Sequence, residues 1–518
     1  MIRDQRNLAE GALFTDFYQL TMAQVYFQLG IHEKNAQFDY FFRSYPDYGF
    51  HQAGYCVNAG LEWFLDWLRE SQFDHESLNY LRNLEYSSGK KIFSSQFLDY
   101  LADKPVFYGL SMKAIPEGRI VHPNIPLAIV EGPLLFAQLV ESSLLNHLNF
   151  QTLIATKAAR IYEAGMGQTL LEFGLRRAQD RAASAGARAA IIGGAAGSSN
   201  TGASAVLGFA PSGTHAHSMV QAIVALGGTE LDAFMKYADS YPDNCILLVD
   251  TFDTLESGIP NAIKVFEKLK KNGHQPVGIR LDSGDLAYLS IKAARMLDTA
   301  GFPDTKIVLS NQMDELVIWQ IITQIRDEAQ RYDVDPEKLI NRLAYGVGTR
   351  MITSSIDPAL DGVYKLVALQ DGEKWIPSMK ISENPEKTLN PGQKRVWRLY
   401  DKRDRAISDV LSLPAENLHA QSSINLHHPN DPSKFRSLKS SELSKIERLP
   451  IEIIKNGKII YEEPDLKAIR AIRVDDLKKL YPGVKRIMNP HHYHVSLTSG
   501  LWRLKRNLTR KYENGNGE

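Results

Sequence analysis

The sequence predicts an α/β fold with a parallel sheet made of βα units, preceded by an α+β portion. Three observations predict the sheet. Short apolar runs recur at Ile246-Leu247-Leu248-Val249, Val277-Gly278-Ile279, Lys306-Ile307-Val308-Leu309 and Leu343-Ala344-Tyr345-Gly346-Val347. Helical stretches separate them, from about Pro260 to Lys271, Leu286 to Ala300 and Asp314 to Arg331. Strand and helix in strict alternation place the strands parallel, because each crossover returns the chain to the same edge of the sheet. The third observation is chemical. Every run is closed by polar residues: Asp250 and Asp253, then Arg280, Asp282, Ser283 and Asp285, then Ser310 and Asn311, then Gly348 and Thr349. Such residues cap helices and turns in any protein. Four consecutive strands ending this way instead point to a reactive rim, at the mouth of a βα barrel or in the crevice of a doubly wound sheet.

Upstream, the first helix starts at Thr15 or Asp16 and stops at Gly30, with Tyr18, Met22, Val25 and Leu29 spaced to share one face. Phe38-Asp39-Tyr40-Phe41-Phe42-Arg43 reads as a strand, and residues 105–135 as short strands broken by five prolines. The uncharged stretch 189–214 holds six glycines and Ser198-Ser199-Asn200-Thr201, so it reads as a loop system and not as a membrane span. From about residue 383 the regular alternation ends. A polar segment covers 429–448, and a basic end leads to Glu513–Glu518, expected to fray.

Composition narrows the function. Of 518 residues, 44% are hydrophobic and 23% charged, which excludes a disordered or fibrous chain. Sixty basic residues balance sixty acidic ones, so nothing favours a nucleic-acid or anionic-membrane partner. Two cysteines, Cys56 and Cys245, exclude a disulfide framework or a four-cysteine zinc site and fit the reducing cytoplasm. The first ten residues lack the apolar core of a secretion signal.

Four segments are suited to chemistry. The glycines of 189–214 would let backbone N–H groups approach an anion, although no Walker lysine follows. Gly213-Thr214-His215-Ala216-His217-Ser218 offers an imidazole able to take a phosphoryl group. A metal reading of His-x-His needs further histidines at later strand ends, and none stands there. Glu172-Phe173-Gly174-Leu175-Arg176-Arg177 joins a stacking ring to guanidinium groups that match a carboxylate or phosphate. Arg280-Leu281-Asp282-Ser283-Gly284-Asp285 sets a cation and two carboxylates on one turn, a set that holds a ribose diol or a magnesium-bound pyrophosphate. His491-His492-Tyr493-His494, with its odd spacing, reads as a surface segment.

Taken together and in order, these segments resemble the nicotinate phosphoribosyltransferase family, part of the type II phosphoribosyltransferases. The likeness is carried by Thr15–Met22, Glu172–Arg177, Gly213–Ser218, Asp250-Thr251-Phe252-Asp253-Thr254, Arg280–Leu286, Ser310-Asn311, Gly346–Thr349 and Gly362–Leu366. Asn489-Pro490-His491 and Leu501–Lys505 extend it. The resemblance implies an irregular TIM-like α/β barrel and a second α/β (α+β) domain built from N- and C-terminal segments. It divides the chain into residues 1–135, a barrel over 136–370, and a C-terminal region over 371–518 that packs on both. It implies an ATP-coupled ligase-type reaction in which nicotinate and phosphoribosyl pyrophosphate give nicotinate mononucleotide and pyrophosphate, for NAD biosynthesis. By the same resemblance His217 is the phosphohistidine, and His217, Arg280 and Asp282 are catalytic. Tyr18, Phe173, Arg176, Thr214 and Arg280 bind nicotinate. Asp282, Ser283, Gly348 and Thr349 bind phosphoribosyl pyrophosphate. Mg²⁺ is the implied metal, with ligands that the sequence does not assign. A cytoplasmic homodimer is implied, with the Tyr18 region against the barrel of the second copy. A nicotinamide-using relative, or a silent binding protein on the same fold, is the alternative. His215, where nicotinamide enzymes carry Asp after Gly-Thr, argues for the acid. Type I phosphoribosyltransferases fit poorly, because Asp250 and Asp253 are separated and no Thr-Gly-Gly loop follows.

Overall fold

A computed structural model describes residues 10–102, 104–380 and 389–513. The first nine residues, 381–388 and 514–518 lie outside these. The absent secretion signal and the frayed end are therefore expectations about residues mostly beyond the described ones. The chain forms two units, one of residues 1–153 with 359–518 and one of 154–358. The sequence reading places the divisions at 135/136 and 370/371. The later division moves because the strand Gly362–Asp371 pairs along its length with Asn35–Phe42, so it belongs with the N-terminal segment.

The discontinuous unit holds two large sheets and a two-stranded one, 56–57 with 120–121. One has seven strands in the order 374–377, 362–371, 35–42, 128–133, 111–114, 451–455, 458–459, antiparallel throughout. The other has six, from 395–401 and its neighbours to 495–497. Buried charges tie the N- and C-terminal segments together. Arg398 forms a forked pair with Asp409, at 2.7 and 2.9 Å, and donates to the Ile120 carbonyl at 2.8 Å. Arg119 pairs with Asp476 at 2.8 Å and with Glu447 at 2.9 Å. Lys394 meets Asp39 at 2.6 Å, with both side chains almost wholly buried. Each pair joins residues hundreds of positions apart or anchors a strand that does, so the two segments fold as one.

The first helix, Phe17–Gln28, ends just before Gly30, which has a left-handed φ of 68°. The side that faces inward differs from expectation. Gln19, Leu20 and Ala23 are buried, while Tyr18, Val25 and Leu29 are 48%, 49% and 66% exposed. The helix is apolar nearly all round, so spacing alone does not select a face. Polar contacts do: Gln19 donates to Glu141 and accepts from Gln138, at 2.8 and 2.6 Å. Asp16 occupies the cap position, yet its carboxylate accepts the Ser142 hydroxyl and not a helix N–H.

The second unit is the expected α/β body. Its six strands, 169–172, 197–198, 246–248, 278–281, 306–310 and 343–347, pair in parallel in the order 197–198, 169–172, 343–347, 306–310, 278–281, 246–248. The strands expected near 246, 277, 306 and 343 all form. All five residues of Leu343–Val347 are buried, as parallel strands covered on both faces require. The two outermost strands are consecutive in the chain and are not paired with each other, which leaves a seam between them. There are six strands, with no backbone ladder across that seam, where an eight-stranded barrel would have a continuous ring. Residues 212–215 fill the seam. The Ser212 N–H donates to the Ser198 carbonyl at 2.9 Å, and the Leu248 N–H donates to His215 Nε2 at 3.1 Å. The stretch read as a loop system contains a helix, Arg181–Gly193, and a short one, Thr201–Leu207. Its alanines and glycines are packing devices: a Cβ on Gly193 would come within 2.4 Å of the Ala155 carbonyl oxygen.

Candidate active site

In-register pairing brings the strand ends of the second unit to one rim. Glu172 stands opposite Ser198 and Val347, Ser310 opposite Gly346, and Leu248 opposite Arg280. Side chains of this rim interlock. Arg280 Nε donates to Ser310 Oγ at 2.8 Å, Nη2 to Asp282 Oδ1 at 3.0 Å and Nη1 to Thr214 Oγ1 at 3.4 Å. The Ser310 hydroxyl in turn donates a hydrogen bond to Asp282 Oδ1. A guanidinium has five N–H donors. Three are engaged here, one of them weakly, which leaves one on each terminal nitrogen, the geometry that receives a carboxylate.

Phe173 lies beside that cation, with Arg280 Cζ 5.4 Å from the ring centroid. Its N–H donates to the Val347 carbonyl at 2.8 Å. The ring fits because residue 346 is glycine: a Cβ there would come within 2.4 Å of Phe173 Cε2. Glu172 underpins the turn. One carboxylate oxygen accepts the Gly174 N–H and the other the Ser198 hydroxyl, the latter at 2.5 Å, while burial raises its pKa.

The second cluster is built around Asp250. Its Oδ2 accepts the Asp282 N–H at 3.0 Å and the Ser283 hydroxyl at 2.6 Å. Its Oδ1 is buried and has no hydrogen-bond partner among the described residues. That oxygen lies 3.8 Å from Nε2 of His217, whose side chain is 37% exposed against 2% for Asp250. The other nitrogen, Nδ1, is 3.1 Å from Thr251 Oγ1. His217 thus stands at the open edge of the turn that carries Asp282 and Ser283, as the first residue of the helix His217–Ala225.

The two histidines separate by role. His215 is buried, and burial, with the Arg280 and His217 charges opposing a backbone hydrogen bond, lowers its pKa. It stays neutral and accepts the edge N–H of Leu248, so it is a seam residue. The carboxylates separate too. Asp285 caps the helix Leu286–Thr299 through the N–H groups of Ala287 and Tyr288. Asp253 caps the following turn through Leu255 and Glu256. Asp250 and Asp282 remain for chemistry.

The structure therefore brings Phe173, Thr214, His217, Arg280, Asp282 and Ser283 into one network. Gly348 joins it by its backbone, since a Cβ there would come within 2.9 Å of the Phe173 carbonyl oxygen. Thr349 is exposed at the start of the short helix Thr349–Ile352. Arg176 is exposed in the turn Leu175–Arg177, and among the described residues no hydrogen bond or ion pair of the network reaches it. Tyr18 belongs to the other unit. Sequence reasoning gave no role to Ser310, Thr251 or Asp250 as partners of Arg280 and His217. Their signal was position, at the end of a strand or within three residues beyond it. Beyond Ser310 the chain holds Asn311 and Gln312 at φ of 115° and 39°. Two consecutive non-glycine residues in that region mark a strained strand end of the sort found at functional sites.

No group of three or more His, Cys, Asp or Glu able to hold a metal ion exists among the described residues. Magnesium differs, since it takes one or two carboxylates and completes its shell with substrate phosphate and water. Asp250, with an unpartnered buried oxygen, and Asp282 fit that demand. Among the described residues no helix is long and apolar enough to cross a membrane.

Comparison with known proteins agrees along the whole chain. Residues 13–149 match the nicotinate phosphoribosyltransferase (NAPRTase) N-terminal domain, 168–404 the NAPRTase family, and 393–505 the C-terminal domain. The chain is 40% identical to the nicotinate phosphoribosyltransferase of Bacillus subtilis over 95% of its own length and 94% of that protein's. It is 30% identical to that of Caenorhabditis elegans over 96% and 93%. The crystal structure of human nicotinic acid phosphoribosyltransferase matches with a TM-score of 0.76 at 27% identity, covering 95% of this chain and 99% of that one. The chain belongs to the nicotinate phosphoribosyltransferase family.

Proposed function

We infer that the chain is a nicotinate phosphoribosyltransferase, which joins nicotinate to the phosphoribosyl group of phosphoribosyl pyrophosphate and releases pyrophosphate, coupled to ATP hydrolysis through phosphorylation of His217. The observation that carries this reading is the Asp250 carboxylate. One of its oxygens receives the Asp282–Ser283 turn, and the other stands bare beside the His217 ring. A single carboxylate thus couples a candidate phosphoryl acceptor to a candidate ribose-phosphate turn.

The chemistry follows from that layout. Asp250 favours the tautomer with the proton on Nε2, leaving Nδ1 as the nucleophilic nitrogen. Thr251 donates to that lone pair until a phosphoryl group from ATP takes its place. Arg280 receives the nicotinate carboxylate with its two spare N–H groups, Thr214 yielding its long contact. Phe173 offers a ring face to the pyridine, and Tyr18 and Arg176 complete the pocket by family likeness, Tyr18 from a second copy in a homodimer. Loss of pyrophosphate from the anomeric carbon develops positive charge on the sugar and negative charge on the leaving group. Ser283, Gly348 and Thr349 would hold the ribose phosphate. Asp250 and Asp282 would hold Mg²⁺, which when bound neutralises the leaving pyrophosphate. The pyridine nitrogen needs orientation more than activation. The product would enter NAD synthesis in the cytoplasm.

Incubation with ATP followed by peptide mapping tests the reading. One phosphoryl group on the peptide containing His217 is expected, and none in His217→Ala. That variant should lose ATP coupling and keep a slow uncoupled transfer; normal ATP turnover by it would sink the assignment. Steady-state assays with nicotinate and nicotinamide separate the acid-using enzyme from its relative. Equal or better use of the amide would overturn the choice of nicotinate. Full nicotinate binding with no phosphoryl transfer at all would favour a silent binding protein.

A further inference from the structure

The segment His491-His492-Tyr493-His494 plays no part in the chemistry above, yet it lines a surface cavity of about 270 Å³ in the discontinuous unit, with Arg405, Arg436 and Tyr481. The segment is held rigidly. The His491 N–H donates to the Gly483 carbonyl at 2.9 Å, and the Asp409 N–H donates to the His494 carbonyl at 2.9 Å. The Tyr493 ring stacks on His122 at 3.6 Å, and its hydroxyl donates to Asp409 at 3.0 Å. Gly483 makes room for the wall, since a Cβ there would come within 2.8 Å of the Tyr481 ring.

This cavity carries an excess of cationic groups, two arginines against one carboxylate. Arg405 lies 5.9 Å from the Tyr481 ring centroid and Arg436 makes a long 3.5 Å contact to the Ile407 carbonyl. Among the described residues neither forms an ion pair with a carboxylate. One acid lines the cavity, Asp401, whose Oδ1 accepts the Arg403 and Arg405 backbone N–H groups at 2.8 and 2.9 Å. Burial, then Arg436 and the neighbouring His491, His428 and His492, lower the His494 pKa.

We propose that the cavity lined by Arg405, Arg436, His491, His492 and His494 is a second anion site that binds a phosphate group. Guanidinium and imidazole donors converge there on an open basin, and the forked geometry of arginine matches phosphate oxygens. The Tyr481 and histidine faces would add stacking for a phosphate that carries a base, so free phosphate and a nucleotide share the chemistry and differ in the ring. The site uses no residue of the strand rim.

Calorimetric titration of the full chain with inorganic phosphate, and separately with AMP, tests this. One binding event is expected to weaken by at least about tenfold in Arg436→Gln and in Arg405→Gln, and to persist in His217→Ala. Tighter binding of AMP than of phosphate would show that the rings are used, and equal binding that the anion alone is read. Arg405→Gln guards against a misfolded Arg436 variant. Diethyl pyrocarbonate labelling of the unaltered protein adds a measurement free of mutation, in which phosphate should protect the peptide holding His491, His492 and His494. Phosphate binding unchanged in both arginine variants, or no protection of that peptide at saturating phosphate and AMP, overturns the proposal.

Discussion

The two units use the same residue types in opposite ways. Around Arg398 in the discontinuous unit, the guanidinium is buried and its nitrogens are taken by Asp409, Asp476 and the Ile120 carbonyl. Around Arg280 in the α/β unit, the guanidinium is partly exposed and donors are left over. Arg398, buried with four of its five donors engaged, holds the fold. An arginine with donors to spare at a rim can hold a ligand. The carboxylates repeat the contrast: Asp409 accepts from Arg398 through both oxygens, whereas Asp250 keeps one buried oxygen bare.

The largest expected effect tests the saturated side. Asp409→Ala strands the buried Arg398 charge and should cost about 3–5 kcal/mol of stability. Denaturant unfolding measures it, and a loss under about 1 kcal/mol would show that the network is not what joins the two segments. The replacement should leave nicotinate affinity in any surviving folded protein unchanged.

The unsaturated side should respond in reverse. Arg280→Ala removes a partly exposed group, so stability should fall by no more than about 1 kcal/mol. The Michaelis constant for nicotinate should instead rise about ten- to hundredfold, the worth of a charge-assisted pair. An unchanged constant would break the comparison at its functional end. Arg280→Lys should recover little, because an ammonium does not reproduce the fork that reaches Ser310, Thr214 and Asp282 together.

The same contrast explains what was legible in the sequence. Strand–helix alternation gave four of the six strands of the α/β unit, since parallel strands such as 343–347 are continuous apolar runs closed by polar residues, and it passed over the strands 169–172 and 197–198. The motifs at those strand ends named most of the rim, because strand order and register carry Arg280, Asp282, Thr214 and His217 to one place. Local signals did not assign partners. Asp250 and Asp253 look alike in sequence, but one is bare and the other caps a turn, and only the fold separates them. His215 looked like a specificity residue and is a plug for the seam. The first helix is the counterpart in the other unit. It is apolar on every side, so its buried face was decided by Gln19 reaching Gln138 and Glu141, more than a hundred residues away.

The smallest effect concerns pH and sharpens the stability end. Burial alone would raise the Glu447 carboxyl, but Arg119, the Tyr400 hydroxyl and Lys445 outweigh it and hold its pKa at about 2. An unfolded glutamate titrates near about 4.3. The folded value is the lower one, so the unfolded state binds the proton first as pH falls. The stabilisation is complete above about pH 4.3 and is lost as pH drops toward 2. Glu447 is partly open to solvent, so screening reduces the gain to about 1 kcal/mol. Glu447→Gln should therefore be less stable than the parent at pH 7 by about that amount, with the gap closing near pH 2. Urea unfolding at the two pH values measures it. A gap that stays constant with pH would mean that Glu447 acts by packing and not by charge. The ion-pair seam between N- and C-terminal segments would then rest on Arg119 with Asp476 and Lys394 with Asp39.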